Sequence, residues 1–252
     1  MTFEYPAPAQ IPQLLKLWKD AFGEWNGFWE LFLNTGFSPL RCRCILEKGQ
    51  ITAALTWLDC SCQGQKQAYL YAVVTHPAHR GKGLCRRLLA DTHALLAERG
   101  YSSALLVPAE PELRSMYGKF GYQTCTFIEA FDAAAAEPAV PLRAVGPEEF
   151  AALRRSLLPA DSVLQEGENL SFLAGQMQFY AGTDFLLAAY HDGDVLTAME
   201  LLGNKSAAPG ILQALGCKNG SFRCPGTQNP FAMICPLKET AIFPRYFGFA
   251  FD

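Results

Sequence analysis

Residues 73–89 read VVTHPAHRGKGLCRRLL, and the fold turns on how that stretch is parsed. Val73–Thr75 closes an apolar β-type run, Pro77 breaks it, and Gly81 and Gly83 flank Lys82. From Leu84 the apolar positions Leu84, Leu88, Leu89, Leu95 and Leu96 keep to one side, while Arg86, Arg87, Asp91 and Glu98 lie off it and Gly100 ends the run. That pattern predicts a helix of about 16 residues, roughly 24 Å long, starting at the Gly-Lys-Gly turn. The first amides of a helix lack intrahelical partners and carry positive partial charge, so a glycine turn in front of them admits phosphate oxygens to the backbone. Strand, basic glycine turn and helix in that order therefore point to a phosphate-bearing ligand. Two familiar loops are excluded. A P-loop would need glycine where His76 stands and a hydroxyl residue where Gly83 follows Lys82, and a dinucleotide fingerprint would need glycine at Arg86.

Working outward, Ile11, Leu14, Leu15, Trp18 and Phe22 repeat at helical spacing up to Gly23. Trp25, Phe28, Trp29, Phe32 and Leu33 repeat again up to Gly36. Both faces are aromatic, which suits core packing or the wall of an apolar acceptor pocket. RCRCILEKGQITAALTWLD alternates about a glycine turn and reads as a hairpin, and AYLYAVVT is a third strand. After the long helix, SALLVP reads as a buried strand, PELRSMYGKFG as a short helix and YQTCTFIEAFD as a last strand, closing an α/β domain near Asp132. AAAAEPAVP, residues 133–141, reads as a linker. Beyond it PEEFAALRRSLL and NLSFLAGQMQFYAG read as helices, FLLAAYHDGDVLTAMELLG as a hairpin and PGILQALG as a short helix. SFRCPG, FAMICPL and YFGFAF read as strands. The element order of the first part recurs without its basic glycine loop, so residues 142–252 read as a degenerate second copy of residues 1–132.

The composition is globular, with 50% hydrophobic and 18% charged residues in 252. The net charge of −3 argues against a chain-wide polyanionic partner such as nucleic acid. Locally, residues 60–90 hold Lys66, Arg80, Lys82, Arg86 and Arg87 and no acid. Residues 133–252 carry 8 basic and 12 acidic side chains, a slight bias toward cationic acceptors such as aminoglycosides or polyamines. The N-terminus has no signal-peptide pattern, no run reaches membrane-spanning length, and a cytoplasmic protein is expected. The 9 cysteines include two CxC pairs, but there is no CxxC and no histidine at ligand spacing. Buried thiols are expected rather than disulfides or a metal centre.

Arg80, Gly83 and Cys85 stand at the positions of an RxxGxG/A loop, and with VVTHP before it the stretch resembles the acyl-CoA loop of the GNAT superfamily of N-acetyltransferases. LRSMYGKFGY resembles the superfamily's downstream helix motif, placing Tyr117 where the family's general acid lies. The resemblance covers residues 1–132 and implies an α/β fold: a GNAT-like mixed central sheet with flanking helices, followed by the smaller α/β domain. It implies acetyl-CoA as co-substrate. Backbone amides of Val73 and Val74 would serve the thioester and pantetheine. Those of Arg80, Gly81, Lys82, Gly83, Leu84 and Cys85 would serve the diphosphate, with the Arg80 and Lys82 side chains adding ionic contacts. Such folds splay the strand holding Val73 and Val74 away from the next, here 103–107, and pantetheine fills the gap. Two positions depart from the pattern: Cys85 replaces Gly or Ala, and Glu110 stands where many relatives carry Asn.

Attack of a neutral amine on a thioester needs a proton acceptor, donors for the oxyanion and a proton for the thiolate. Tyr117 suits the last role. Glu30, Asp59, Tyr71 and Glu129 are candidate bases, His76 is discounted because it leads into the phosphate loop, and the terminal carboxylate of Asp252 is a further option. The expectation is direct transfer from acetyl-CoA to a primary amine of a small molecule or peptide, without a metal or a membrane. The alternatives are an acyl-CoA-binding sensor or scaffold without turnover, and an acyltransferase using a longer donor. The acceptor's identity and the oligomeric state are not written in the sequence.

Overall fold

The computed structural model describes residues 1–24 and 27–250, so Trp25 and Asp252 lie outside the described residues. The described chain divides into two compact units, one of residues 1–123 with 233–242 and one of residues 124–232 with 243–250.

In the first unit, β1 (Thr2–Glu4) is followed by α1 (Ile11–Phe22) and α2 (Phe28–Thr35). α1 ends where Gly23 turns to φ 93°, and its buried Leu14, Leu17 and Trp18 face the sheet. The aromatic faces pack on each other, Trp18 stacking on Trp29 at 5.5 Å and meeting Phe32 edge-on at 5.9 Å. Next come β2 (Cys42–Glu47) and β3 (Gln50–Cys62). They form the expected antiparallel hairpin across Lys48 and Gly49, both at positive φ as a tight primed turn requires. β4 (Gln65–Thr75), α3 (Leu84–Glu98), β5 (Ser103–Leu106), α4 (Leu113–Gly118) and β6 (Gln123–Thr124) complete this stretch. Leu84, Leu88, Leu89 and Leu96 of α3 are buried in the core that the sheet shares with Tyr101, Leu106, Tyr117 and Tyr122.

The second unit's elements are β7 (Phe127–Ala134), β8 (Leu142–Val145), α5 (Pro147–Leu157), α6 (Glu168–Ala174), β9 (Gln178–Gly182), β10 (Phe185–Asp192), β11 (Val195–Gly203), α7 (Ala208–Leu215), β12 (Asn219–Pro225) and β13 (Asn229–Pro230). β14 (Met233–Pro236) then joins the sheet of the first unit. The first sheet runs β1-β2-β3-β4-β5-β14-β6, and the second, read from the other edge, β8-β9-β10-β11-β12-β7-β13. Pairing directions match along both. The first four strands of each are antiparallel, β4–β5 and β11–β12 are parallel, and β5–β14 and β12–β7 are antiparallel. The second half thus repeats the topology of the first. The sixth strand of each sheet is supplied by the other half of the sequence.

That exchange alters several sequence expectations. Residues 122–132 are not one strand: Cys125 and Thr126 separate β6 from β7, which belongs to the other sheet. A cut at 133–141 therefore differs from the observed division, because β7 already lies in the second unit and β14 returns to the first. The helix expected over 169–182 stops at Ala174, and its apolar second half becomes β9, paired with β8 and β10. The strand expected at YFGFAF is absent among the described residues, where only an isolated bridge joins Tyr246 to Ser162.

Candidate functional site

β4 carries the site because it leaves its neighbour. It pairs with β5 only over Gln67–Tyr69 against Ser103–Leu105, so Leu70–Thr75 runs on without a partner on that side. The β3–β4 register slips between Ala54 and Thr56, and Ala72 takes φ 50° at this bulge. Trp18 Nε1 donates to the Ala72 carbonyl at 3.1 Å, pinning α1 to the bulge. The His76 amide donates to the Thr52 carbonyl at 2.9 Å. Ladder alternation from that bond sends the Val74 amide to β3 and turns those of Val73 and Thr75 toward the open gap. Of the pair expected from sequence, Val73 offers its amide to the gap, and Thr75 joins it unforeseen.

The glycine turn completes the corner. Gly81 and Gly83 lie at φ 74° and 72°, with open space where a Cβ would stand. Gly83 is the N-cap of α3, no side chain caps the helix, and its first turn holds no acid. The leading amides of α3 thus remain available to an anion. Arg80 Nε donates to the Thr75 carbonyl at 3.2 Å, fastening the turn to the end of β4.

These elements border a cleft of about 470 Å³. Of the residues expected from sequence, Val73, Val74, Arg80, Gly81, Gly83, Leu84, Cys85 and Tyr117 line it, and Lys82 does not. Sequence reasoning missed His79 and Arg86, the apolar group Leu113, Met116 and Phe120 near Tyr117, and Ala21 and Phe22 at the end of α1. The helical period did mark Phe22 as part of an aromatic face, and its 37% exposure reflects its place on the cleft wall.

Tyr117, on α4, is buried, and its hydroxyl bonds to no other described residue. Burial, with the nearby Cys85 thiol adding to it, holds the phenol well above its ordinary value, so it stays protonated. Burial likewise pushes the Cys85 thiol up to about 11, which suits a passive small side chain rather than a reactive thiolate. Behind the cleft, His93 Nε2 meets the Tyr122 hydroxyl at 2.7 Å.

Among the described residues, none of the candidate bases Glu30, Asp59, Tyr71 and Glu129 lines the cleft. Glu30 is tied to Lys19 at 2.9 Å, which lowers its pKa from the usual carboxylate value. Asp59 accepts from the Tyr101 hydroxyl and sits 3.7 Å from both Arg41 and Lys66. The Tyr71 ring packs on Phe32 at 5.4 Å, and Glu129 pairs with Lys205 in the second unit at 2.5 Å. His76 uses Nδ1 to cap the turn at Ala78. The nine cysteines are free thiols, and no cluster of metal-ligating side chains occurs among the described residues.

Residues 3–125 match the family model described as an acetyltransferase (GNAT) domain. Among solved structures, the chain is similar to a GCN5-related N-acetyltransferase from Anabaena variabilis, at 16% identity and a TM-score of 0.73 over 94% of this chain and 73% of that one. A GCN5-related N-acetyltransferase from Kribbella flavida gives 15% identity and a TM-score of 0.69 over 92% of this chain and 70% of the other. A tandem GNAT protein from the clavulanic acid biosynthesis pathway gives 12% identity and a TM-score of 0.58 over 95% and 99%. At these identities the likeness is one of fold. No curated protein matches the chain in sequence.

Proposed function

We propose that the protein, whose residues 3–125 match the acetyltransferase (GNAT) domain model, transfers an acetyl group from acetyl-CoA to a primary amine of a small molecule or peptide by direct attack. The observation that carries this reading is the meeting, in one cleft, of the β4–β5 gap, the glycine-bounded end of α3 and the buried Tyr117 phenol. The acyl-pantetheine lies along Val73–Thr75, with the diphosphate against the amides of Gly81–Cys85 and the Arg80 and Arg86 side chains nearby. The amine nitrogen bonds to the thioester carbonyl carbon, the oxyanion accepts from the Val73 amide, and the carbon–sulfur bond breaks. Tyr117 donates its proton toward the departing sulfur. Among the described residues the lining holds no carboxylate, so the amine's surplus proton leaves to water, from which the Tyr117 phenolate is reprotonated. The same lining offers no counter-charge to a polycation, so an acceptor with a single amine on an apolar body suits Phe22, Leu113, Met116 and Phe120 best. Among the described residues no helix is long and apolar enough to cross a membrane, and the free thiols support a cytoplasmic setting.

A second reading, an acyl-CoA-binding sensor, is favoured by the lack of a carboxylate among the described lining residues. A donor-saturated screen of amines and peptides with detection of free CoA thiol separates the two. Amine-dependent thiol release is the expected result. Donor binding without release across the panel would favour the sensor, and comparing donors of increasing chain length tests the preference for acetyl.

A further inference from the structure

We infer that residues 243–250 are a built-in occupant of the second unit's counterpart of the donor cleft, so that the chain holds one acyl-CoA site and not two; this rests on reading the first unit's β4–β5 gap as that site.

The second sheet retains the geometry that opens the gap in the first. The β10–β11 register slips between Ala188 and Ala189, leaving Met199 without an opposite residue, as the β3–β4 register slips beside Val73. β11 then pairs with β12 only over Val195–Ala198, so Met199–Gly203 departs from it as Leu70–Thr75 departs from β5.

Beyond the bulge the two sheets differ. Glu200, next after Met199 and 1% exposed, receives Arg154 of α5 through Nε at 2.6 Å and Nη2 at 2.9 Å. The Tyr246 hydroxyl donates to Glu200 Oε1 at 3.0 Å. Gly248 passes so close that a Cβ there would stand 1.8 Å from Glu200 Oε1 and 2.9 Å from Arg154 Nη2; only glycine fits. Toward β12, the Phe247 ring lies 6.2 Å from Phe231, whose face carries the Arg223 guanidinium at 4.9 Å. The segment is held by backbone as well: Gln165 donates to the Phe249 carbonyl at 2.6 Å and accepts from its amide at 3.0 Å, and the Val163 amide donates to the Tyr246 carbonyl at 2.8 Å. Tyr246, Phe247, Phe249 and Ala250 are at most 1% exposed.

The counterpart of the diphosphate corner is also closed. α7 has Pro209 in its first turn, removing one amide donor, and Asn204–Ala207 replaces the basic glycine turn. The Ala136 and Val140 amides donate to the Pro209 and Gly210 carbonyls, each at 3.2 Å. A Cβ on Gly210 would meet Val140 Cγ1 at 2.7 Å and the Pro138 carbonyl at 2.8 Å. Protein therefore fills both places that an acyl-CoA would need.

Two measurements on the full chain test this. The first is hydrogen–deuterium exchange without any donor. The Val163 and Phe249 amides should exchange as slowly as those of the central sheet strands, and exchange at the rate of a free tail would overturn the inference. The second is calorimetric titration with CoA of the native chain and of Gly81→Val/Gly83→Val, whose β-branched side chains cannot hold the left-handed turn. One equivalent in the native chain and none in the variant is expected. A second equivalent, or binding that survives in the variant, would overturn the inference. No binding to either chain, with the tail amides protected, would contradict the donor site in the first unit while upholding the closed second one.

Discussion

Gly83→Ala isolates the glycine turn from everything around it. Gly83 lies at φ 72° with nothing within 4 Å of the place an added methyl would take, so alanine meets no neighbour and only the left-handed conformation is penalised, by about 1–2 kcal/mol. That penalty has two places to appear. If the turn keeps its conformation, the folded protein carries it and the melting temperature falls by about 2–8 °C. If the turn relaxes to negative φ, the donor must restore it on binding, and affinity falls about 5- to 30-fold. Scanning calorimetry and CoA titration on the same preparation read both, and the two losses together should amount to about 1–2 kcal/mol. A variant whose melting temperature and CoA affinity both match the native chain would refute the assignment of the turn to the donor.

Tyr117→Phe removes the phenolic proton while keeping the ring. Its maximal rate should fall about 100-fold or more with little change in donor affinity, and near-native turnover would remove Tyr117 from the mechanism. His93 is held down to about 4 by burial against an ordinary 6.5. The unfolded chain therefore binds the extra proton between those values, and stability is lost as pH falls through that window, by on the order of 3 kcal/mol. Urea titrations from pH 7 to 4 should show this slope, flattened in His93→Gln; an equal slope in both would locate the acid sensitivity elsewhere. Glu200→Ala leaves the Arg154 guanidinium buried without its partner and should destabilise the protein by about 3–5 kcal/mol, a figure that a loss under about 1 kcal/mol in urea would contradict. Trp18→Phe deletes the bond to the Ala72 carbonyl and should lower stability by about 1–3 kcal/mol. It should also raise the KM for the donor, and an unchanged KM would show that the bulge keeps its shape without α1.

Most of the first unit was legible because its signals are local. The leucines of α3 repeat at helical spacing, Gly23 and Gly100 mark helix ends, and Lys48-Gly49 carries the conformation that a two-residue hairpin needs. The exchange of β7 and β14 was not legible. Alternation in FIEAFD or MICP says that a strand forms, but the identity of its neighbour depends on edges supplied by distant parts of the chain. The same limit hid β9, where MQFYAG carries one polar residue, Gln178, among apolar ones and suits the end of a buried helix as well as a strand. The aromatic run YFGFAF suggested a strand, yet over Tyr246–Phe249 the described partners are the Glu200 and Gln165 side chains and a single backbone bond from Val163, not a ladder. At the site, Tyr117 and the glycine turn stood out because their motifs are contiguous. Thr75, His79, Arg86 and the wall of Leu113, Met116 and Phe120 gather only when β4 splays and α4 folds over the gap.

Donor and protein are proposed to meet along Val73–Thr75 and Gly81–Cys85, and the rest of the mechanism depends on that contact. The most direct measurement is residue-resolved amide exchange of the full chain with and without saturating acetyl-CoA. New protection is expected at Val73, Thr75 and Gly81–Cys85, with the amides around Glu200 and α7 unchanged. Unaltered exchange along β4 and the glycine turn, or protection gained at α7 instead, would contradict it.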